Sequence, residues 1–209
     1  MDITGRDLVA RLPEHVIARH GAVDGLINNA GIIQPFVRVH DLDYAVIERV
    51  VSVNFYGTLY MTKAFLPHLL RRPQAHLVNV SSMGGFLPVP GQSIYGAAKA
   101  AVKLLTEGLR SELRGTDVRV TLVLPGAVAT GIADNAGLDL GLASARGGLM
   151  ALIKPLQPAV AARTIVDAME RNRFRVLVGR DARLMDLLYR LSPKLAADLI
   201  DRVMRSLLA

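Results

Sequence analysis

The sequence contains no cysteine and no tryptophan. Without a thiol there is no disulfide framework, no thiolate nucleophile and no cysteine metal site, and the five histidines (His15, His20, His40, His68, His76) show no HExxH spacing. Metal chemistry is therefore disfavoured. No uninterrupted apolar run approaches the roughly 18 residues that a bilayer span needs. The N-terminus also lacks a basic stretch leading into an apolar core and a small-residue cleavage site, so a cytoplasmic location is expected. Gly (18) and Pro (10) are too few for a collagenous or low-complexity chain, and 21% charged residues too few for a disordered one. What remains is 209 residues, 51% of them apolar, enough for one compact core.

The net charge of +7 invites a nucleic-acid reading, which the distribution of charge does not support. Residues 1–100 carry 9 basic and 7 acidic side chains, residues 101–162 carry 6 and 5, and residues 163–209 carry 10 and 6. No basic block stands out. Arg71-Arg72 and the alternating Arg171, Arg173 and Arg175 are the densest spots and read as solvated faces, so no nucleic-acid partner is expected.

From Asp24 onward, short β-rich runs alternate with helical patterns. The strands are expected at Asp24 to Asn28, His76 to Val80, Val118 to Leu124 and Phe174 to Val178, and the helices at Leu42 to Arg71, Ile94 to Arg114 and Pro158 to Asn172. The first three strands lack polar and apolar alternation, as strands covered on both faces do. The series reads as parallel βαβ units. Thr4 with Asp7 resembles a capping box opening an N-terminal helix that ends at His20-Gly21. Residues Gly131 to Pro155, rich in Gly, Ala and Leu, read as a long loop containing a short helix.

Tyr95 and Lys99, four residues apart on a helix, project from one face. At about 4 Å and an effective dielectric of about 20, an ammonium stabilises a phenolate by roughly 4 kcal/mol. That would bring a phenol from about 10 to near 7, where general acid–base catalysis works best. A lone YxxxK is weak evidence, and its setting decides. A strand ends just before it in Val80-Ser81-Ser82, then Met83-Gly84-Gly85-Phe86 and a Pro-Gly-rich loop lead into the helix. The preceding strand ends in Asn28-Asn29-Ala30-Gly31, and the following one in Pro125-Gly126-Ala127-Val128-Ala129-Thr130. All three sites fall on the edge of the sheet where α/β proteins bind ligands.

These elements, in this order and spacing, resemble the classical short-chain dehydrogenase/reductase family over residues 2 to about 180. The resemblance implies an α/β fold, a Rossmann-like doubly wound parallel sheet, with residues 1–180 as a partial catalytic domain and 181–209 as a C-terminal helical extension of it. It implies a tetrad of Asn54, Ser82, Tyr95 and Lys99, where Ser82, not its neighbour Ser81, stands thirteen residues before Tyr95. Tyr95 would pass the proton while hydride moves between a carbinol carbon and the nicotinamide of NAD or NADP. Ser82 would orient the substrate oxygen. Lys99 would lower the phenol's pKa and bind the nicotinamide ribose, and Asn54 would hold a water linking Lys99 to solvent. Cofactor contacts carried over by position are Asp2, Ile3, Asn28, Asn29, Ala30, Gly31, Tyr95, Lys99, Pro125, Gly126, Val128 and Thr130, with Asn28 to Gly31 serving the adenosine half. Taken singly, Asn54 could be a buried interhelical hydrogen bond, Ser82 a turn residue, and Tyr95 with Lys99 a surface pair.

The family's TGxxxGxG is absent, and residues 1–23 hold no pyrophosphate cradle. Asp2-Ile3-Thr4 matches the acidic tripeptide that ends the family's third strand, so about 55 to 60 residues, the first two βα units, are expected to be lacking. The strand at Asp24 to Asn28 should then be an exposed edge. An apolar pocket formed by Met83, Phe86, Leu87, Ile94 and the segment Gly131 to Pro155 points to a lipophilic alcohol or ketone. The alternatives are a catalytically silent remnant serving as an interaction subunit, and a basic nucleic-acid or membrane-surface module. The long helices Leu42 to Arg71 and Ile94 to Arg114 should pair across a two-fold axis in a homodimer or homotetramer. In the tail, Leu184, Leu187, Leu188 and Leu191 form one apolar stripe, and Leu195, Leu199, Val203 and Leu207 a second. Both are expected to pack over the pocket or against a neighbouring subunit, with weak contact to an anionic membrane surface as the alternative.

Overall fold

The computed structural model describes residues 1–132, 155–205 and 208. Its order is α1 (Arg6–His20), β1 (Gly25–Asn28), α2 (Tyr44–Val51), a π-helical turn (Ser52–Gly57), α3 (Thr58–Leu69), β2 (Ala75–Val80), α4 (Ser93–Glu112), β3 (Val118–Pro125), α5 (Pro158–Glu170), β4 (Arg175–Val178), α6 (Arg180–Leu191) and α7 (Pro193–Met204). The strands form one parallel sheet in the order β1-β2-β3-β4. The expected loop of Gly131 to Pro155 lies mainly in residues 133–154, outside the described residues, as does Leu207.

Strand chemistry decides which faces are covered. Leu77, Val118 and Val120 turn toward Phe65, Leu69, Leu109 and Leu113 of α3 and α4. Val78, Val80, Val123, Val176 and Val178 turn to the other face, against Ala161 and Ala168 of α5. Thus β2 and β3 are buried on both sides, as their lack of polar and apolar alternation predicts. The same expectation fails for β1, which alternates: Leu26 and Asn28 are buried, while Gly25 and Ile27 are exposed, Ile27 at 47%. As the edge strand, β1 fits the expectation of an uncovered edge among the described residues.

The capping box at Thr4 is not formed. Gly5 is the N-cap of α1, without a side-chain cap, and Thr4 instead donates both its amide and its hydroxyl to Asp2 Oδ1, at 2.9 and 2.8 Å. A nearer acceptor captured the hydroxyl. Gly21, at φ +80°, ends α1 as expected.

The tail helices depart in part from their expected orientation: Leu188, Leu199 and Val203 are half-buried, the first two against the cluster around Leu87, but among the described residues the rest of both stripes is not. Leu184, Leu187 and Leu191 are exposed, and α6 instead buries Ala182, Met185 and Asp186. The cause is an ion pair: Arg175 of β4 grips Asp186 with two hydrogen bonds, of 3.0 and 2.6 Å, and Arg190 joins it at 3.0 Å. A bidentate partner makes the inward carboxylate tolerable and turns the leucines out. Arg175 therefore does not belong to a solvated face. In α7, Leu195 is exposed, whereas Ala196 and Ile200 are buried with Met185 and Leu87. Leu87 thus lies in the core beneath α6 and α7, and not on the expected substrate pocket.

Candidate active site

The sheet delivers three chain ends to one edge. At the end of β2, Ser81 donates its amide to Val123 O (2.9 Å) and its hydroxyl to the Lys99 carbonyl (2.6 Å). Ser81 is thereby consumed in tying α4 to the sheet, which leaves Ser82 facing Tyr95. Ser82 Oγ accepts the Gly84 amide at 3.0 Å, and its hydroxyl lowers the Tyr95 phenol's pKa against the effect of burial. Two glycines permit this approach. A Cβ at Gly84 would lie 3.3 Å from the Tyr95 ring, and one at Gly85 would lie 2.9 Å from the Lys99 carbonyl.

Lys99 is buried, and its ammonium donates to the Val80 carbonyl at 3.1 Å, its one acceptor among the described residues. Burial pushes its pKa down to about 8. Burial also pushes the half-buried Tyr95 phenol up, against which the Ser82 hydrogen bond acts only in part. The expected depression of the phenol toward 7 is therefore not realised in this arrangement. A cation acts strongly only at close range, and here the Lys99 ammonium is hydrogen-bonded to a backbone carbonyl.

Asn54 sits in the π-helical turn between α2 and α3, where an added residue per turn re-aims a side chain. It is fully buried and spans two elements: Nδ2 donates to Ile32 O and Val50 O, both at 2.9 Å, and Oδ1 accepts the Ile32 amide at 3.2 Å. These bonds hold the chain that follows β1 against the helix. Gly31 is the pivot of the cluster, since a Cβ there would fall 2.9 Å from Asn54 Oδ1 and 3.1 Å from Lys99 Nζ. Side chains from the π turn and α4 thus meet around one glycine at the exit of β1.

The residues expected to contact a cofactor divide into two groups. Asn29, Ala30 and Thr130 are exposed on this edge, while Gly31, Pro125, Gly126 and Val128 are half-buried there. Asn28 instead turns inward: its Nδ2 donates to Thr62 Oγ1 (3.0 Å) and Asn79 Oδ1 (2.8 Å), and Asn79 donates to Thr106 (3.0 Å). Its side chain is spent on a buried ladder joining α3, β1, β2 and α4. Asp2 is exposed, and its carboxyl is held below its usual range by the two Thr4 hydrogen bonds. Ile3 packs against Gly57 of the π turn, where a Cβ would collide with it.

Three residues escaped the sequence reading. Gln34 is fully buried; its Oε1 accepts the Tyr95 amide and its Nε2 donates to Gly91 O, both at 2.9 Å, and Gln92 Nε2 donates to the Gln34 carbonyl at 2.6 Å. It caps the first turn of the helix that carries Tyr95 and Lys99. Asp181, the third, accepts the Ala127 amide at 2.6 Å. No local pattern marks Gln34 or Gln92, whereas the Gly179 that precedes Asp181 hints at a special turn.

No helix among the described residues is long and apolar enough to cross a membrane, and no group of three His, Asp or Glu is placed to hold a metal ion. Comparison with known proteins adds the following. A sequence model described as "short chain dehydrogenase" matches residues 1–140. The putative oxidoreductase SadH of Mycobacterium tuberculosis (strain ATCC 25618 / H37Rv) is 38% identical over 198 residues, covering 91% of this chain and 70% of that protein. A short chain dehydrogenase/reductase from Burkholderia phymatum, crystallised in complex with NAD, superposes with a TM-score of 0.80 at 27% identity, covering 93% of this chain and 75% of the other. A short chain dehydrogenase from Burkholderia cenocepacia J2315 in complex with NADP gives 0.73 at 28% identity, with 98% and 78% covered.

Proposed function

The chain belongs to the short chain dehydrogenase family, a family of oxidoreductases that use NAD or NADP, and from that premise we propose that Asn54, Ser82, Tyr95 and Lys99 interconvert an alcohol and a ketone. The observation that carries this is the convergence of two hydroxyls, a buried ammonium and a buried amide around Gly31 and Gly84. Bound, the nicotinamide supplies the hydride acceptor or donor. The protein supplies the rest. Tyr95 moves the proton of the substrate oxygen, and Ser82, held by the Gly84 amide, orients that oxygen.

Lys99 fits a nicotinamide ribose by its own chemistry. It is a buried ammonium with three donors and one protein acceptor among the described residues, and the glycine beside it lets the backbone approach within contact distance. Burial favours its neutral form, so a hydroxyl-bearing ligand would help to keep it charged. Asn54 ties the Ile32 backbone, next to Gly31, to the π turn and so fixes the chain beside Lys99. Asn29, Ala30, Gly31, Pro125, Gly126, Val128 and Thr130 line the cofactor's path by their backbone, with Asp2 and Ile3 at its far end. Residues 181–209 extend the same domain, supported by the packing of α6 and α7 on Met83, Phe86 and Leu87. We assign a lipophilic alcohol or ketone as substrate, supported by half-buried Met83 and Ile94 beside the tetrad. Assembly as a homodimer or homotetramer through α2, α3 and α4 is supported by Tyr44 and Leu104, exposed at 82% and 69%.

Tyr95→Phe tests the proposal, because it removes the phenolic proton and keeps the ring. Turnover should fall by on the order of 10²-fold or more with cofactor affinity nearly unchanged. Turnover within threefold of the parent would overturn the assignment.

A further inference from the structure

We infer that Asp181, on the first turn of α6, is a positioning residue that sets the height of the Pro125-Gly126-Ala127 backbone over the nicotinamide end of the site. The inference rests on the oxidoreductase reading above and extends it to a residue outside the tetrad.

Asp181 is carried to the end of the sheet by Gly179, which takes φ +109° between β4 and α6, a conformation side chains rarely adopt. Its carboxylate then enters the turn that leaves β3. Oδ2 accepts the Ala127 amide at 2.6 Å, a charge-assisted hydrogen bond of short length. Glycine is required on both sides of it. A Cβ at Gly126 or at Gly179 would fall inside the Asp181 carboxyl. The Gly126 amide meanwhile donates to Val178 O at 2.9 Å, so one carboxylate and one strand carbonyl fix two successive amides of this turn. Directly beyond, Val128 bridges Leu156, with Leu156 donating its amide to Ala127 O and Ala129 donating to Leu156 O, both at 2.9 Å. The turn is held from three directions, and among the described residues only Asp181 holds it through a side chain.

This placement gives the contact a function. The reacting carbon must lie beside Tyr95 and Ser82, at the exit of β2. With Asn29 to Gly31 at the exit of β1 serving the adenosine half, the nicotinamide extends to the other neighbour of β2, which is the exit of β3. Pro125 to Ala127 form that exit. A shift of this backbone therefore displaces the nicotinamide relative to Tyr95 without touching the tetrad.

The test compares Asp181→Ala and Asp181→Asn with the parent chain, well below their unfolding midpoints. Two readouts are taken: hydrogen exchange at the Ala127 amide, and the dissociation constants of NADH and NADPH from nicotinamide fluorescence. Loss of a hydrogen bond to a charged acceptor should speed Ala127 exchange and weaken the preferred reduced cofactor, each about tenfold in Asp181→Ala. Asp181→Asn keeps an acceptor oxygen and should restore most of both. If Asp181→Ala fails to fold, Gly179→Ala, at a residue outside the cofactor's path, displaces the same carboxylate and should speed Ala127 exchange and weaken the cofactor likewise. Faster exchange with unchanged cofactor affinity would reduce Asp181 to a structural role and overturn the inference, as would unchanged exchange. A parent chain that binds neither NADH nor NADPH would instead refute the oxidoreductase reading, and this inference with it.

Discussion

Replacing Lys99 with methionine should remove a destabilising charge along with activity. Lys99 is 3% exposed, its ammonium has one hydrogen-bond acceptor among the described residues, and its pKa lies at about 8 against an ordinary 10.5. Below pH 8 both folded and unfolded chains carry the proton, and the folded state bears the full cost of burying it. Between about 8 and 10.5 the folded state has released the proton while the unfolded state still holds it, so stability rises with pH. Above 10.5 neither state is charged and the cost is gone. At about 1.4 kcal/mol per pH unit, the whole rise is worth about 3 kcal/mol. Methionine has no such step. Because it also strips the Val80 carbonyl of its donor, a loss of about 1–3 kcal/mol, the net change at pH 7 can be small, and the pH dependence isolates the charge. Urea denaturation of parent and Lys99→Met from pH 7 to 10 should show the parent gaining about 2–3 kcal/mol relative to the variant. A difference that stays flat within about 1 kcal/mol would show that Lys99 is better solvated or better paired than its surroundings indicate. Cofactor should compress the same difference, since hydroxyls on the ammonium favour its charged form.

Other perturbations test the scaffold of the site. Asn79→Ala breaks the ladder from Asn28 to Thr106 at its centre, leaving buried donors unmatched, and should cost about 2 kcal/mol by denaturant titration; a loss under about 0.5 kcal/mol would refute the ladder. Arg175→Met should cost about 1–2 kcal/mol, the pair being only partly buried, and Asp186→Leu added to it should recover most of that loss; a double variant less stable than either single one would overturn the account of why α6 turns its leucines outward. Light scattering at micromolar concentration should give a dimer or tetramer, and a strict monomer would refute assembly through α2, α3 and α4.

The legible parts of this protein are those whose chemistry is local. Strand positions followed from β-branched runs, because a strand buried on both faces needs mostly apolar side chains. Tyr95 and Lys99 could be paired because helix period alone puts them on one face, whereas the choice of Ser82 over Ser81 rests on the family resemblance, and the structure shows the physical reason: Ser81 is bound to the Lys99 carbonyl. What escaped depends on partners distant in sequence. The apolar stripe at Leu184, Leu187 and Leu191 indicates a buried face, yet Arg175, found only by folding β4 beside α6, reverses it. Asn28 stands within the motif expected to contact the cofactor and spends its side chain on Thr62 and Asn79, which leaves only the motif's backbone and its glycine for the proposed contact. The same division accounts for the pKa expectation. Spacing of four residues brings Lys99 to the face of Tyr95, but the Val80 carbonyl, nineteen residues away, takes the ammonium's hydrogen bond, and burial then governs both groups. Sequence spacing therefore identifies which groups can react, and the competition for their hydrogen bonds decides the state in which they wait.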